Sequence, residues 1–237
     1  MMLIKCIQIN LHHAKATTDV LSHRFVSQNM DLAFIQEPWT LGNKIKGLSK
    51  QVGKLIYCNG TQSPRAAILA DSKINLIPIP DFVSRDLVAV MVELLGERGR
   101  QDVVMASAYF PGDSEPTPPS EVRRLIAHCK QKRLSYLIGC DANAHHTVWS
   151  SSDINGRGEY LFEYVISNNV DILNRGKKPT FINAIRREVL DMTLASPNLG
   201  SSIKNWHVSE QASMSDHLHI RFDVEAVAMQ QQEVRSL

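Results

Sequence analysis

The sequence predicts a four-layered α/β sandwich: two mostly antiparallel sheets packed face to face, with helices outside. Three observations carry the prediction. Short apolar, β-branched runs recur along the chain, and several follow one another with no room for a helix, so neighbours should pair antiparallel. Helical periodicity is confined to a few stretches, too few to cover a parallel sheet on both faces. The length of 237 residues fits one large α/β domain with a substantial core.

The elements follow in order. Residues 4–10 (IKCIQIN) read as a strand. Residues 16–29 switch to a helical pattern with Val20, Leu21, Phe25 and Val26 on one side. A buried strand at 31–36 is stopped by Pro38, and 42–53 is a lysine-bearing loop. Short strands are predicted at 54–59, 66–70, 74–79, 86–95 and 102–110. The proline-rich break at 111–120 ends in Ser120, a suitable N-cap for a helix over 121–133, whose basic last turn suits the helix dipole. A strand at 134–140 precedes a helix at 157–169 with Leu161, Phe162, Val165 and Ile166 inward. Strands at 171–174, 179–183, 188–195, 203–209 and 217–224 complete a domain over residues 1–225. Residues 226–237 form a polar tail or the start of a linker.

Composition narrows the function classes. Charged residues make up 21% and the net charge is +2, which permits nucleic acid as a partner without arguing for it. Cys6, Cys58, Cys129 and Cys140 form no C-x-x-C pair, so a zinc knuckle has no support and reduced intracellular thiols are expected. No apolar run reaches the roughly 18 residues of a membrane span, so no membrane partner is expected.

The polar residues that interrupt this pattern sit at strand ends. Asn10, Glu37 and Tyr109 close three strands, and Asp141 and Asn143 follow a fourth on one alternating face. Asp191 interrupts an apolar strand, where a carboxylate needs a partner, and Asp216 and His217 begin the last strand. Each residue alone is commonly a cap or turn residue, and a His-x-His such as His217–His219 commonly marks a solvated strand face. Six strand ends delivering acids, amides, a phenol and an imidazole to one rim supply what phosphodiester hydrolysis requires. The set offers a hard-cation ligand, a base for water and donors for developing charge.

These residues carry a resemblance. "QIN" (8–10), "IQEP" (35–38), "SAYFP" (107–111), "GCDAN" (139–143), "LDMTLAS" (190–196) and "SDH" (215–217) resemble, in order, the motifs of the exonuclease III / apurinic-apyrimidinic endonuclease superfamily, also called deoxyribonuclease-I-like. "DANAHHTVWSSSDINGRG" and "PTF" are further similar to the endonuclease domain of insect non-long-terminal-repeat retrotransposons, which leads a polyprotein containing a reverse transcriptase.

The resemblance implies a set of roles. Glu37 would bind Mg²⁺ (with Mn²⁺ a possible substitute), with Asn10 beside it. Asp141 would orient or deprotonate the attacking water, and Asn143 would help to position it. Tyr109 would donate to the phosphate, and His217 would contact it with Asp191 as its carboxylate partner. Asp216 would act near the metal or the leaving group. Asn155, Arg157 and Thr180 would lie near double-stranded DNA, although "NGRG" also reads as a structural turn. His145, His146 and Trp149 read as an ordered loop with Trp149 in the core. The implied activity is a Mg²⁺-dependent nick in one DNA strand, at a nuclear site of action, leaving a 3′-hydroxyl for target-primed reverse transcription by a covalently linked reverse transcriptase. An abasic-site repair nuclease or another phosphoesterase of the same fold is the alternative, and a non-catalytic DNA-binding module is a third reading. One departure weighs against repair: His12 stands where repair enzymes carry an acid, and an imidazole is a poorer Mg²⁺ ligand than a carboxylate.

Overall fold

The apolar runs sort into two six-stranded sheets and two short ribbons in the computed structural model, which describes residues 3–48, 52–96, 99–113 and 116–225. The first strands are β1 (Leu3–Asn10), β2 (Leu32–Gln36), β3 (Thr40–Leu41), β4 (Lys44–Ile45), β5 (Lys54–Ile56) and β6 (Ala66–Ala70). Then come β7 (Leu76–Val83), β8 (Leu87–Gly96), β9 (Gly99–Tyr109), β10 (Ser135–Asp141) and β11 (Asp171–Ile172). The chain closes with β12 (Phe181–Ile182), β13 (Arg187–Glu188), β14 (Asp191–Ala195), β15 (Ile203–Val208) and β16 (Ile220–Glu225). Helices are α1 (Lys15–Ser27), α2 (Ser120–Lys132), α3 (Gly156–Ser167) and α4 (Pro197–Gly200). The predicted tail at 226–237 lies outside the described residues.

The sheets run β15-β16-β1-β2-β6-β5 and β11-β14-β10-β9-β8-β7. Side-chain alternation assigns the layers. Ile4 and Cys6 of β1 meet Phe34, Val90, Val103, Leu137 and Phe222 between the sheets. Ile7 and Ile9 face the other way, onto Leu21 and Phe25 of α1. The second sheet presents Ala106, Ile138 and Met192 to Leu125 of α2 and Leu161 of α3. Helix, sheet, sheet, helix is therefore the layer order, as the sequence predicts. Each fully buried large apolar side chain contributes roughly 1.5–3 kcal/mol.

Each sheet holds one parallel pair at its centre, β1 with β2 and β9 with β10, and the remaining pairs are antiparallel. A parallel pair needs a crossover, and α1 and α2 supply the two crossovers. The carboxyl ends of four central strands thus carry Asn10, Gln36, Tyr109 and Asp141, paired Asn10–Gln36 and Asp141–Tyr109 in register. In α/β sheets, sites form where such strand ends converge.

Beneath that rim the sheets are joined by polar side chains. On β1, Gln8 and Asn10 share the inter-sheet face with Cys6. Gln8 donates to the carbonyls of Cys140 (3.2 Å) and Met192 (3.1 Å) and accepts from Thr193. Gln36 donates to Ser107 Oγ (2.9 Å) and the Gly139 carbonyl (3.1 Å). A Cβ at Gly139 would stand 2.8 Å from Gln8 Oε1, so this position requires glycine for close approach.

Several expectations are corrected. Val26 is 58% exposed, because the buried face of α1 runs through Thr17, Thr18, Leu21 and Phe25, and Val26 lies about 100° beyond Phe25. Ile166 is exposed for the same reason, one position past Val165 on α3. Ser120 is the first residue of α2, and Pro119 occupies the N-cap with no side-chain bond. The predicted strand at 188–195 splits into β13 and β14, because Thr180 Oγ1 takes the Leu190 (3.1 Å) and Asp191 (3.0 Å) amides. The last strand begins at Ile220, while His217 makes an isolated bridge to Phe181.

His217 and His219 are both buried, so this His-x-His is not a solvated face. His219 Nδ1 accepts from Arg24 Nη1 (2.8 Å), which fixes a neutral ring. Burial, then the cations Arg24 and Arg221, pull its pKa down to about 3. A lowered folded pKa means that the unfolded chain binds the proton first, so stability is complete above about pH 6.5 and falls as pH drops toward 3. We expect His219→Gln to flatten the decline of Tm between pH 6.5 and 4, by about 5 °C or more for a chain of this size, read by calorimetry at matched ionic strength. Parallel Tm–pH curves for the two proteins would contradict the assignment.

Candidate active site

Asn10, at the end of β1, is the hub of the rim. Its amide donates to Glu37 Oε2 (3.1 Å) and to Asp141 Oδ2 (2.8 Å), linking the carboxylates of opposite sheets. Its Oδ1 accepts from the His12 amide (2.8 Å). Asp141 Oδ1 takes the Asn143 amide (3.1 Å), and the Asn143 side chain donates to the Phe110 carbonyl (3.1 Å). The Tyr109 hydroxyl faces the Glu37 carboxylate and helps to stabilise its charge.

The second half of the site is an acid pair and an imidazole. Asp141 and Asp191 face each other in the register of β10 and β14, and both are 1% exposed. His217 Nδ1 lies 2.8 Å from Asp191 Oδ2. Oxygen and nitrogen atoms of Asp141, Asp191 and His217 all lie within 4.8 Å of one another. Two like charges side by side in a buried sheet destabilise it unless a cation answers them. Burial lowers the His217 pKa, but Asp191 and Asp141 outweigh it and raise the pKa to about 9, so the ring is imidazolium at neutral pH. Burial, opposed by His217 and reinforced by Asp191, holds the Asp141 carboxyl well above the usual carboxylate range. Phe181 packs edge-on to the His217 ring at 5.0 Å, and Ser213 Oγ holds the His217 carbonyl. Ser215 Oγ binds the Asn10 carbonyl (3.0 Å), tying this loop to β1.

Glu37 is ionised. Burial alone would raise its pKa, but donation from His13, Asn10 and Tyr109 brings it down to about 2. Tyr109 is pushed up, first by burial and then by Glu37 and Asp141, and so remains a donor. His12, His13, Glu37 and Asn143 all have positive φ (48°, 53°, 44° and 45°). Such strain, of order 1–3 kcal/mol per residue, persists only where the surroundings enforce it. For Glu37 they do: its N–H bonds the Arg65 carbonyl (2.8 Å), and its own carbonyl takes the His13 amide (2.8 Å).

The predicted residues separate into three groups. Asn10, Glu37, Tyr109, Asp141, Asn143, Asp191 and His217 come together. Asp216 stands at the edge of the rim, its carboxylate 3.9 Å from His12 Nδ1. Asn155, Arg157 and Thr180 support the scaffold. Asn155 caps α3 through the Gly158 amide (2.8 Å) and also binds the His145 amide. Arg157 Nε braces the Asn143 carbonyl (2.9 Å). Thr180 is wholly buried and presents no surface to DNA, which corrects its placement there. Trp149 is buried, as expected, with His146 stacked on Phe162 at 4.5 Å.

Sequence reasoning missed His13, whose Nε2 lies 3.4 Å from Glu37 Oε1, and Arg65, whose guanidinium lies 4.8 Å over the Tyr109 ring. Nothing in their local sequence marks either one. The ionised, half-buried Glu37 carboxylate is a ligand of the kind that suits a hard divalent cation. Asp141, Asp191 and His217 could also gather round an ion, but there the imidazolium already supplies the positive charge.

Comparison with known proteins agrees with this geometry. The sequence model described as endonuclease-reverse transcriptase matches residues 103–221, from β9 into β16. The RNA-directed DNA polymerase from mobile element jockey of Drosophila funebris is 29% identical over 127 residues. That stretch is 54% of this chain but 13% of that protein, so the chain spans a small part of the relative's length. The endonuclease domain of TRAS1, a telomere-specific non-LTR retrotransposon, superposes with a TM-score of 0.81 at 24% identity, covering 94% of this chain and 99% of that one. An AP endonuclease from Archaeoglobus fulgidus superposes with a TM-score of 0.66 at 12% identity, covering 94% and 100%. These structural likenesses fix the fold as the endonuclease/exonuclease/phosphatase sandwich. With half its length, residues 103–221, matched by the family's sequence model, a span that includes Tyr109 and His217, this chain belongs to the endonuclease-reverse transcriptase family.

Proposed function

We propose that this domain is a Mg²⁺-dependent endonuclease that nicks one strand of duplex DNA. In this reading it leaves a 3′-hydroxyl, in the nucleus, to prime synthesis by a reverse transcriptase on the same polypeptide. The observation that carries the reading is the hydrogen-bonded line Glu37–Asn10–Asp141 beside the Asp191–His217 pair. DNA binding alone needs neither a buried acid nor an imidazolium.

In the reaction, Asp141 takes a proton from water as the water oxygen bonds to phosphorus and the bond from phosphorus to the 3′-oxygen breaks. The 5′-phosphate stays on one product, and the departing 3′-oxygen takes its proton from solvent water at the open, Asp216 edge of the rim. A base whose pKa is raised toward neutrality is better matched to this task than an ordinary carboxylate. Tyr109 and His217⁺ donate to the phosphoryl oxygens, where negative charge accumulates. Mg²⁺ held by Glu37 and Asn10, with Asp216 nearby, would supply further positive charge to the phosphate and the departing oxygen.

Four outcomes are expected on supercoiled plasmid. Asp141→Ala should lose nicking by about 10²–10⁴-fold while retaining DNA binding by gel shift. Near wild-type nicking would remove Asp141 from the base role. EDTA should silence the protein, and Glu37→Gln should fail under Mg²⁺ with partial recovery in Mn²⁺, whereas His12→Ala should be much milder. Full activity in EDTA would falsify the metal-dependent reading. Plasmid bearing abasic sites should be cut no faster than intact plasmid.

The fourth outcome concerns charge at His217. The folded pKa is raised above the free value of about 6.5, so the imidazolium persists through neutral pH and is lost as pH rises through about 9. Activity should therefore fall on an alkaline limb near pH 9 that disappears in His217→Ala. The double variant with Asp191→Asn should cost little more than the worse single variant. Strictly additive losses would show that the two residues act separately.

A further inference from the structure

Arg65 and Asp86 lie at the seam between the two sheets. Arg65 directly precedes β6, whose Ala66 pairs with Gln36 beside Glu37. Asp86 directly precedes β8, whose Leu87 pairs with Ala108 beside Tyr109. Their side chains meet across the seam in a bidentate pair, Nε to Oδ1 at 2.5 Å and Nη2 to Oδ2 at 2.6 Å, each about one-fifth exposed. The same guanidinium lies over the Tyr109 ring at 4.8 Å.

The backbones repeat this link. The Arg65 carbonyl accepts the Glu37 N–H (2.8 Å), and the Asp86 carbonyl accepts the Tyr109 N–H (2.9 Å). The Arg65 N–H in turn reaches the Arg85 carbonyl (2.7 Å). One ion pair thus holds the residue before each of two strands and, through each, one functional side chain. A bidentate fork adds geometric restraint as well as energy, and only a planar guanidinium can fork and stack at once.

We propose that Arg65, clamped by Asp86, is a positioning residue that fixes the Tyr109 ring so that its hydroxyl is held toward the rim and meets the phosphate. The proposal rests on the nuclease reading above for its catalytic consequence, but not for its geometry. Arg65 acts through the tyrosine and not as a phosphate ligand.

Two measurements test it. The first is independent of any cleavage: 3-fluorotyrosine at position 109 should give one narrow ¹⁹F line in the wild type. That line should shift or broaden in Arg65→Met, Arg65→Lys and Asp86→Asn. An unchanged line in Arg65→Met or Asp86→Asn overturns the proposal, whether or not the protein cuts DNA. The second is kinetic. Arg65→Met and Asp86→Asn should lower kcat by about 10–100-fold with KM for DNA little changed, and Arg65→Lys should not restore it. Either variant combined with Tyr109→Phe should be no slower than Tyr109→Phe alone. Additive losses, or an Arg65→Met effect confined to KM and absent in Asp86→Asn, would make Arg65 a phosphate contact and overturn the positioning role. Wild-type protein that nicks nothing defeats the nuclease reading, and the fluorine spectra then still decide the clamp.

Discussion

Two carboxylates buried side by side are the constraint around which the rest of the rim is organised. Asp141 and Asp191 are forced together by the register of β10 and β14, in a layer that excludes water. Unanswered, such a pair would be ruinous to a domain of ordinary marginal stability. His217 answers it with charge, Asn10 and the Asn143 backbone with hydrogen bonds. Once His217 must sit there, the loop before β16 must bend inward, and Ser213, Ser215 and Phe181 hold it. The geometry of the loop follows from the electrostatics of the strands.

The polar layer beneath the rim serves the same end by different means. Gln8 and Gln36 hydrogen-bond to backbone carbonyls of the opposite sheet, so the sheets cannot slide without breaking buried bonds. Apolar packing alone is tolerant of small displacements, and a catalytic constellation is not. The hydrophobic interlayer holds the sheets together, and the glutamines fix where one lies on the other.

Much of this was legible in the sequence, for a physical reason. Strand alternation is a local property, so the layers and the sharing of one face by Gln8 and Asn10 can be read from residues two apart. The strand ends Asn10, Glu37, Tyr109 and Asp141 were visible as polar residues closing apolar runs. What was not legible depends on contacts between distant segments. Val26 and Ile166 look buried because periodicity fixes a stripe only to within about one residue. Thr180 resembled a position near DNA until its hydroxyl was found on the amides of Leu190 and Asp191, where β14 begins. His13 and Arg65 left no local signal, because their roles arise from the left-handed turn at Glu37 and from a seam that exists only after the sheets dock.

The bond from Ser215 to the Asn10 carbonyl spans 205 positions in the chain. A ribosome that has synthesised β1 through β15 has therefore made every acid of the inner rim and still no complete site. The first strand waits, hydrophobic on both faces, for the last strand to pair beside it. Closure is slow by the ordinary arithmetic of distant contacts. It also means that the rim is completed only with completed folding and not before.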